Sequence, residues 1–202
     1  MWKWIGGIIL LILVLVFAGM CYGFRKIQGY ASGPGETTTL IGATPARVFA
    51  SLADGDSIPD WMVMGTVRPS RHGILRVGDS LTVIERDTAD PRMQRMKWVV
   101  SEVSPGKLFA VQMRNDSLGI VMVVRRFALE ARGDSTALTT AVTSPVVDSA
   151  SAEAKTETGT ARAMMGLTVK LMLGAMRMQS QMEVNQLKAR VEGRPTADVP
   201  RP

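Results

Sequence analysis

The stretch Ile120–Thr143, IVMVVRRFALEARGDSTALTTAVT, decides the fold class, because a short turn separates two runs of β-forming residues in it. We predict strands at Ile120–Ala131 and Ser135–Thr143, joined by a turn at Gly133-Asp134. A connection this short joins antiparallel strands, since parallel strands need a crossover of about a dozen residues or more. The stretch therefore predicts a β-hairpin within an antiparallel sheet.

The same alternation of short β-forming runs and turn residues extends back along the chain as far as Met64. Glycine, proline and aspartate lie between the runs, as expected of tight turns. The close spacing predicts an antiparallel meander, to which a short β-prone run at Thr37–Ala43 adds one more strand. The remaining predicted strands are Met64–Pro69, Ser80–Asp87, Arg95–Val103 and Leu108–Arg114.

Helical signals surround these strands. Thr44 followed by Pro45 suits the start of a helix that continues to Ala53, and a second short helix is predicted at Ser57–Met62. A final helix is predicted at Thr160–Glu192, ended by a glycine and a proline. It is the only element long enough to cover the apolar face of the sheet. The chain is therefore predicted to be α+β, with an antiparallel sheet on a long C-terminal helix.

An α-helix turns by about 100° per residue, which predicts the faces of the last helix. Lys170, Arg177, Gln181 and Lys188 fall together and predict its solvent-facing side. An apolar stripe lies to one side of them, formed by Met164, Leu171, Met178, Met182 and Ala189. Additional methionines widen the apolar arc before Met176, so the first half of the helix is expected to be the more enclosed. Methionine fills irregular cores, and it also lines adaptable binding surfaces, so both interpretations stay open.

An uncharged run of twenty residues, Ile5–Phe24, precedes the predicted domain. A helix of this length spans about 30 Å of hydrocarbon. Trp2 and Trp4 on one side, and Arg25 and Lys26 on the other, suit the two membrane interfaces. No small-residue cleavage site follows, which favours an uncleaved anchor over a signal peptide. We predict a single-pass membrane protein whose soluble domain lies on the non-cytoplasmic side.

The basic composition does not indicate nucleic-acid binding. The isoelectric point is about 9.9, but Lys3, Arg25 and Lys26 flank the predicted anchor. Without those three, 21 basic residues accompany 18 acidic ones, and the charges are interspersed. The single cysteine, Cys21, excludes an internal disulfide framework and a CxxC metal site. No nucleic-acid partner, metal or cofactor is therefore predicted.

Three passages follow one another in an order typical of a known family. Thr44–Trp61, TPARVFASLADGDSIPDW, has a helix-starting Pro, a Val-aromatic pair and a closing Pro-x-Trp. Val100–Leu108, VSEVSPGKL, is similar to a V-T-E-x-x-P strand and turn, and Phe127–Thr139, FALEARGDSTALT, to an F-x-L-E-x-x-G-x-x-T hairpin. Together they resemble the START-like superfamily, also called SRPBCC, and within it the polyketide cyclase/dehydrase and lipid-transport group. The resemblance covers Thr37–Glu192.

The resemblance implies the helix-grip fold, a curved seven-stranded antiparallel sheet wrapped on a long C-terminal helix, here preceded by one transmembrane helix. It also implies a cavity between sheet and helix that holds lipids, sterols, quinones, polyketides or other hydrophobic molecules. The family shares no catalytic residues, so none is assigned. Val77-Gly78-Asp79-Ser80 replaces a Gly-x-Gly found in many members, which leaves the shape of that loop open. The predicted organisation is an anchor (residues 4–26), a linker (27–36), a START-like domain (37–193) and a disordered tail (194–202).

Candidate ligand-binding residues are the aromatic and apolar side chains expected on the concave face of the sheet and on the last helix. The competing interpretation is that all of them belong to an ordinary core. The candidates are Trp61, Trp98, Val100, Met113, Phe127, Met164, Leu171, Met172 and Met178.

Ionisable residues give few signs of catalysis. The only histidine, His72, lies in a polar turn, where it is expected to be solvated. Arg125 and Arg126 are adjacent on a predicted strand, so one of them points to the concave face unless a bulge intervenes. A buried arginine needs an acid partner or an anionic ligand group, and we expect an acid partner within the core.

The sequence therefore favours a membrane-tethered domain that binds or transfers a hydrophobic small molecule. Two alternatives stay open. One is a cyclase- or dehydratase-like enzyme acting on a hydrophobic substrate, which requires ionisable side chains that converge in the cavity. The other is a membrane-anchored adaptor that recruits a protein partner, which would show a large exposed apolar patch.

Overall fold

The computed structural model of the chain describes residues 35–63, 65–84, 95–115, 119–145 and 160–193, and of residues 160–172 it describes the backbone. The predicted anchor, most of the linker and the predicted tail lie outside these residues. In the described part of the chain, no helix combines the length and the hydropathy that crossing a membrane requires.

Seven antiparallel strands form a single sheet, as the sequence predicts. In spatial order the sheet runs β1-β7-β6-β5-β4-β3-β2. Every neighbouring pair except β1 with β7 is consecutive in sequence, so β2 to β7 form a meander, and the first strand completes the sheet beside the last. The strands are β1 Glu36–Ile41, β2 Thr66–Pro69, β3 Ser80–Ile84, β4 Arg95–Ser104, β5 Leu108–Asn115, β6 Ile120–Arg132 and β7 Ser135–Thr143.

The β6–β7 hairpin agrees with the prediction from its turn residues. Arg132 pairs with Ser135, and Gly133 occupies the turn with a φ of 60°, a backbone conformation that glycine adopts without steric cost. Two irregularities of register lie in the neighbouring pairs, at Val100/Glu102 and at Met113/Arg114. Such bulges increase the local twist of a sheet, which suits one that wraps a helix.

Within the described residues, the helices that accompany the sheet are α1 at Pro45–Ala53, α2 at Ile58–Trp61 and α3 at Thr160–Val191. Proline begins α1, as predicted from Thr44-Pro45. Both short helices follow the C-terminal end of β1 and add Phe49, Leu52, Ile58 and Trp61 to the core. The C-terminal half of α3 crosses the same end of the molecule, where Glu192 accepts a hydrogen bond from the backbone N–H of Gly42 at 2.8 Å. We call this the closed end of the sheet.

The opposite end of the sheet is lined with methionine. Because the strands are antiparallel, the start of β4, the end of β5 and the start of β6 lie at this end. Met96, Met113 and Met122, one from each of those strands, are only partly buried and pack against the edge of the core. Met176 of α3 is also partly buried there. We call this the methionine end.

The predicted face of α3 is wrong in its second half. Met182, placed in the predicted buried stripe, is 44% exposed, and Glu183 is completely buried. The residues that contact the core instead are Val184, Leu187 and Val191, which recur at helical spacing. The reason is that Arg125 on β6 needs an anion, and satisfying it turns Glu183, rather than Met182, toward the sheet.

The helix side predicted to face solvent also differs. Lys188 donates a hydrogen bond to the carbonyl oxygen of Leu40 at 2.7 Å, and Gln181 donates to the hydroxyl of Thr39 at 3.3 Å. These long polar side chains therefore contact β1, which is an edge strand with free backbone groups.

Candidate functional site

A buried ion pair lies between the sheet and the last helix. Alternation along β6 directs Arg125 inward and Arg126 outward, as expected for neighbouring strand residues. Arg125 is 3% exposed, and its guanidinium donates to the carboxylate of Glu183 and, at 3.1 Å, to the hydroxyl of Ser180. Arg126 forms an exposed pair with Glu102 at 3.1 Å. The expectation that one arginine finds an acid partner in the core is confirmed.

Aromatic rings surround the buried guanidinium. Its central carbon lies 5.7 Å from the centre of the Trp98 ring and 5.3 Å from that of Phe127, within the range of cation–π attraction. Trp61 meets Phe127 edge to face at 6.1 Å, and Phe109 lies 6.4 Å from the same ring. The interior therefore combines a charged centre with a mostly apolar wall, a combination that suits an amphipathic guest.

Burial raises the pKa of the Glu183 carboxyl, and the guanidinium of Arg125 opposes part of that rise. The backbone N–H of Val63 adds a 3.3 Å hydrogen bond to the same carboxylate. Both oxygens of Glu183 thus have partners within the protein. The pair holds α3 against β6 and against the segment that follows α2.

Four of the predicted ligand residues lie together in the core. Trp61, Trp98 and Phe127 are each 1% exposed, and Val100 is 0% exposed. Trp98 pairs across the strands with Met113, which is only partly buried. Met113 therefore lies beside this buried group on the side of the methionine end.

The remaining candidates belong to α3. Met178 is half-buried, on a different side of the helix from the Val184 and Leu187 that contact the core. The side chains of Met164, Leu171 and Met172 lie outside the described residues. Their assignment as ligand-binding residues remains a prediction.

Glu183 and Ser180 were missed by the sequence reasoning. Both are polar, and neither is among the predicted site residues, although Glu183 is 0% and Ser180 3% exposed. A usable signal was present, because Val184, Leu187 and Val191 follow Ser180 at intervals of four, three and four residues. That spacing predicts one helix face, and an acid adjacent to it is the natural partner for an inward arginine.

A small polar pocket opens between the edge strand, β7 and α3. The space within it that a water-sized sphere can enter is about 10 Å³, room for about one water molecule. Its described lining residues are Gly35, Thr37, Thr140, Val142, Arg177, Ser180 and Gln181. It lies toward the methionine end, since Gly35 precedes the start of β1.

His72 lies far from this interior, in the loop between β2 and β3. Its side chain is 95% exposed, and its Nδ1 lies 2.5 Å from a carboxylate oxygen of Asp56. The hydrogen bond to Asp56 raises the pKa of His72, and the same bond, with one from the backbone of Gly73, lowers the pKa of Asp56. The contact joins the loop to the α1–α2 turn and does not bring His72 near the ligand candidates.

Comparison with known proteins agrees with the fold and the predicted resemblance. The sequence profile of a family described as "Polyketide cyclase / dehydrase and lipid transport" matches residues 35–192. No curated protein matches the chain at a significant level.

Solved structures align with the chain at low sequence identity. The KanY protein is 18% identical with a TM-score of 0.52, and the alignment covers 79% of this chain and 97% of that one. Aha1 from Colwellia psychrerythraea is 16% identical with a TM-score of 0.49, covering 78% and 94%. Protein Ms6760 from Mycobacterium smegmatis is 14% identical with a TM-score of 0.49, covering 78% and 90%.

Proposed function

The chain belongs to the polyketide cyclase/dehydrase and lipid transport family, and from this premise we propose that it binds or transfers a hydrophobic small molecule while tethered to a membrane. The ligand would lie between the sheet and α3, with its apolar part among the aromatic and methionine side chains. A lipid, quinone, sterol or polyketide-like molecule has the required chemistry.

The observation that carries the proposal is the difference between the two ends of the sheet. The closed end is covered by α1, α2 and the C-terminal part of α3, and its aromatic side chains are fully buried. At the methionine end, Met96, Met113, Met122 and Met176 are only partly covered by the described residues. Methionine is flexible and polarisable, so its side chains can move to admit an apolar guest more readily than branched or aromatic ones.

The place where the N-terminal segment joins the sheet supports a membrane role. The predicted anchor at residues 4–26 leads through the linker to Gly35, and Glu36 then begins β1 opposite Ala141 near the end of β7. This is the methionine end of the sheet. An anchor attached there would hold the methionine end close to the bilayer, where hydrophobic ligands partition, and would raise their local concentration around the domain.

Catalysis as a cyclase or dehydratase is a second candidate, favoured by one observation, the buried Glu183 with its raised pKa. The carboxylate is nevertheless engaged by Arg125 and by the backbone of Val63. Of the other ionisable side chains, Glu102 lies in a surface pair and His72 in an exposed loop. The arrangement therefore supports binding more strongly than acid–base chemistry.

Extraction of bound molecules tests the proposed function. The full chain is purified, extracted with organic solvent and analysed by mass spectrometry, beside Met176→Gln and the matched variant Met182→Gln. We expect an apolar compound to copurify with the parent protein and with Met182→Gln, whose side chain is exposed, but not with Met176→Gln. Equal recovery from both variants, or none from a folded parent that also fails to take up added lipid, would contradict the proposal.

A further inference from the structure

The polar pocket beside β1 contains a buried hydroxyl without a partner. Thr140 is 6% exposed, and its Oγ1 makes no hydrogen bond within the described part of the chain. An unsatisfied buried hydroxyl is costly, so such a group is usually explained by a bound water, ion or ligand. Thr140 lines the pocket together with Ser180 and Arg177.

Hydrogen-bond donors are concentrated around this space. The hydroxyl oxygen of Ser180 accepts a bond from Arg125, which leaves its hydrogen available for donation. The guanidinium of Arg177 lies beside Gly35, where a Cβ would be 3.4 Å from its Nη2 atom. The free hydroxyl of Thr140, the available hydrogen of Ser180 and the nearby guanidinium of Arg177 are the kinds of donor from which phosphate and carboxylate oxygens accept hydrogen bonds.

The small volume of the pocket limits the size of the group that can bind in it. About 10 Å³ holds one water-sized group, so a single oxygen of a larger anion could be enclosed while the rest stays at the mouth. We propose that this pocket is an oxyanion site that takes one oxygen of a phosphate or carboxylate group, with Thr140 and Ser180 donating hydrogen bonds and Arg177 supplying the positive charge. The proposed function assigns only an apolar site, whereas this one selects a charged group.

The oxyanion has two sources, the head group of an amphipathic ligand or a free anion. The pocket lies toward the methionine end, so a head group bound here would leave its apolar tail near Met176 and the core. Only binding of a ligand head group depends on the proposed function. The site itself would bind free phosphate whether or not the core admits an apolar guest, so the two can fail separately.

Binding of inorganic phosphate and of soluble short-chain dihexanoyl phosphatidylglycerol to the full chain, in a non-ionic detergent, tests the site. Titration calorimetry compares the parent with Arg177→Gln and with Thr140→Val, which removes the hydroxyl at nearly constant volume. Arg126→Gln is the matched control, because it removes the same charge from an exposed pair outside the pocket. Amide NMR spectra establish that each variant is folded.

We expect at least one of the two probes to bind, with about tenfold or greater weakening in Arg177→Gln and Thr140→Val and little change in Arg126→Gln, as for loss of a charge-assisted hydrogen bond. Binding of phosphate would identify a free-anion site, and binding of the lipid alone would identify a head-group site. Either result supports the proposal. If neither probe binds, or if all variants bind equally, the pocket holds a structural water only and the proposal is overturned.

Discussion

Removing one partner of the buried ion pair is expected to destabilise the protein strongly. Glu183→Ala removes the carboxylate that faces Arg125, whose side chain is buried and 3% exposed. The hydroxyl of Ser180 and two aromatic rings stay beside the guanidinium, and the backbone N–H of Val63 loses its acceptor. Breaking a buried pair in this way costs about 3–5 kcal/mol. Because Ser180 and the rings remain, we expect a loss of about 3–4 kcal/mol in the free energy of unfolding.

The measurement is urea unfolding followed by tryptophan fluorescence, since Trp61 and Trp98 lie in the core. With a slope of about 2 kcal/mol per M, the expected loss lowers the midpoint by roughly 1.5–2 M. The matched surface variant is Glu102→Ala, which breaks the exposed ion pair between Glu102 and Arg126. Arg126 is the residue next to Arg125 on β6. That variant is expected to cost less than about 1 kcal/mol.

A double variant separates the value of the pair from the penalty of a lone charge. Arg125→Met with Glu183→Leu replaces both groups by apolar side chains of similar size, a change that is often neutral or stabilising by about 1–4 kcal/mol. The unpaired N–H of Val63 costs about 1–3 kcal/mol in return. We therefore expect stability within about 1 kcal/mol of the parent. The reasoning is refuted if Glu183→Ala costs no more than Glu102→Ala, or if the double variant is less stable than either single one.

Two further predictions concern the loop between β2 and β3. The folded-state pKa of His72 lies above its ordinary value of 6.5, so its contribution to stability is complete below pH 6.5 and is lost as the pH rises through the raised pKa. The pKa of Asp56 is lowered from 3.8, so its contribution is present above pH 3.8 and is lost as the pH falls through the lowered pKa. An NMR titration of this single histidine should therefore give a pKa above 6.5 that falls in Asp56→Asn, and an identical pKa in both proteins would refute the contact. Gly55→Ala would place its Cβ 2.4 Å from the backbone oxygen of Arg71, and we expect it to lower the free energy of unfolding by about 1–3 kcal/mol or more, measured by the same urea assay; an unchanged midpoint would show that the two segments are not in contact.

Local chemistry in the sequence was sufficient to predict the sheet. Turn residues such as Gly133 are close to the strands they join, and their preference for positive φ does not depend on distant contacts. The seven strands, their antiparallel arrangement and the bounds of the last helix follow from such signals. The structure confirms them with shifts of one or two residues where both bounds are described, as at β1, which spans Glu36–Ile41 rather than Thr37–Ala43.

The orientation of the last helix could not be obtained in the same way. It depends on a contact between Arg125 and Glu183, 58 positions apart, and no periodicity within the helix encodes that pairing. Periodicity was in addition ambiguous, because methionines lie around much of the first half of the helix. The sequence also does not distinguish residues that line a cavity from residues of an ordinary core. An apolar side chain such as Trp98 or Phe127 has the same sequence pattern whether it faces a ligand or another side chain.

The central claim, an apolar site at the methionine end, is tested most directly by methyl NMR of the full chain labelled at the methionine ε-methyl groups and titrated with dodecan-1-ol, an uncharged probe. Met96, Met113, Met122 and Met176 should shift together and saturably. Met62, which is 4% exposed in the core, and Met182, which is 44% exposed on the surface, should shift little. Shifts spread equally over Met182 and the four, or no saturable shift at any of the four, would contradict the account.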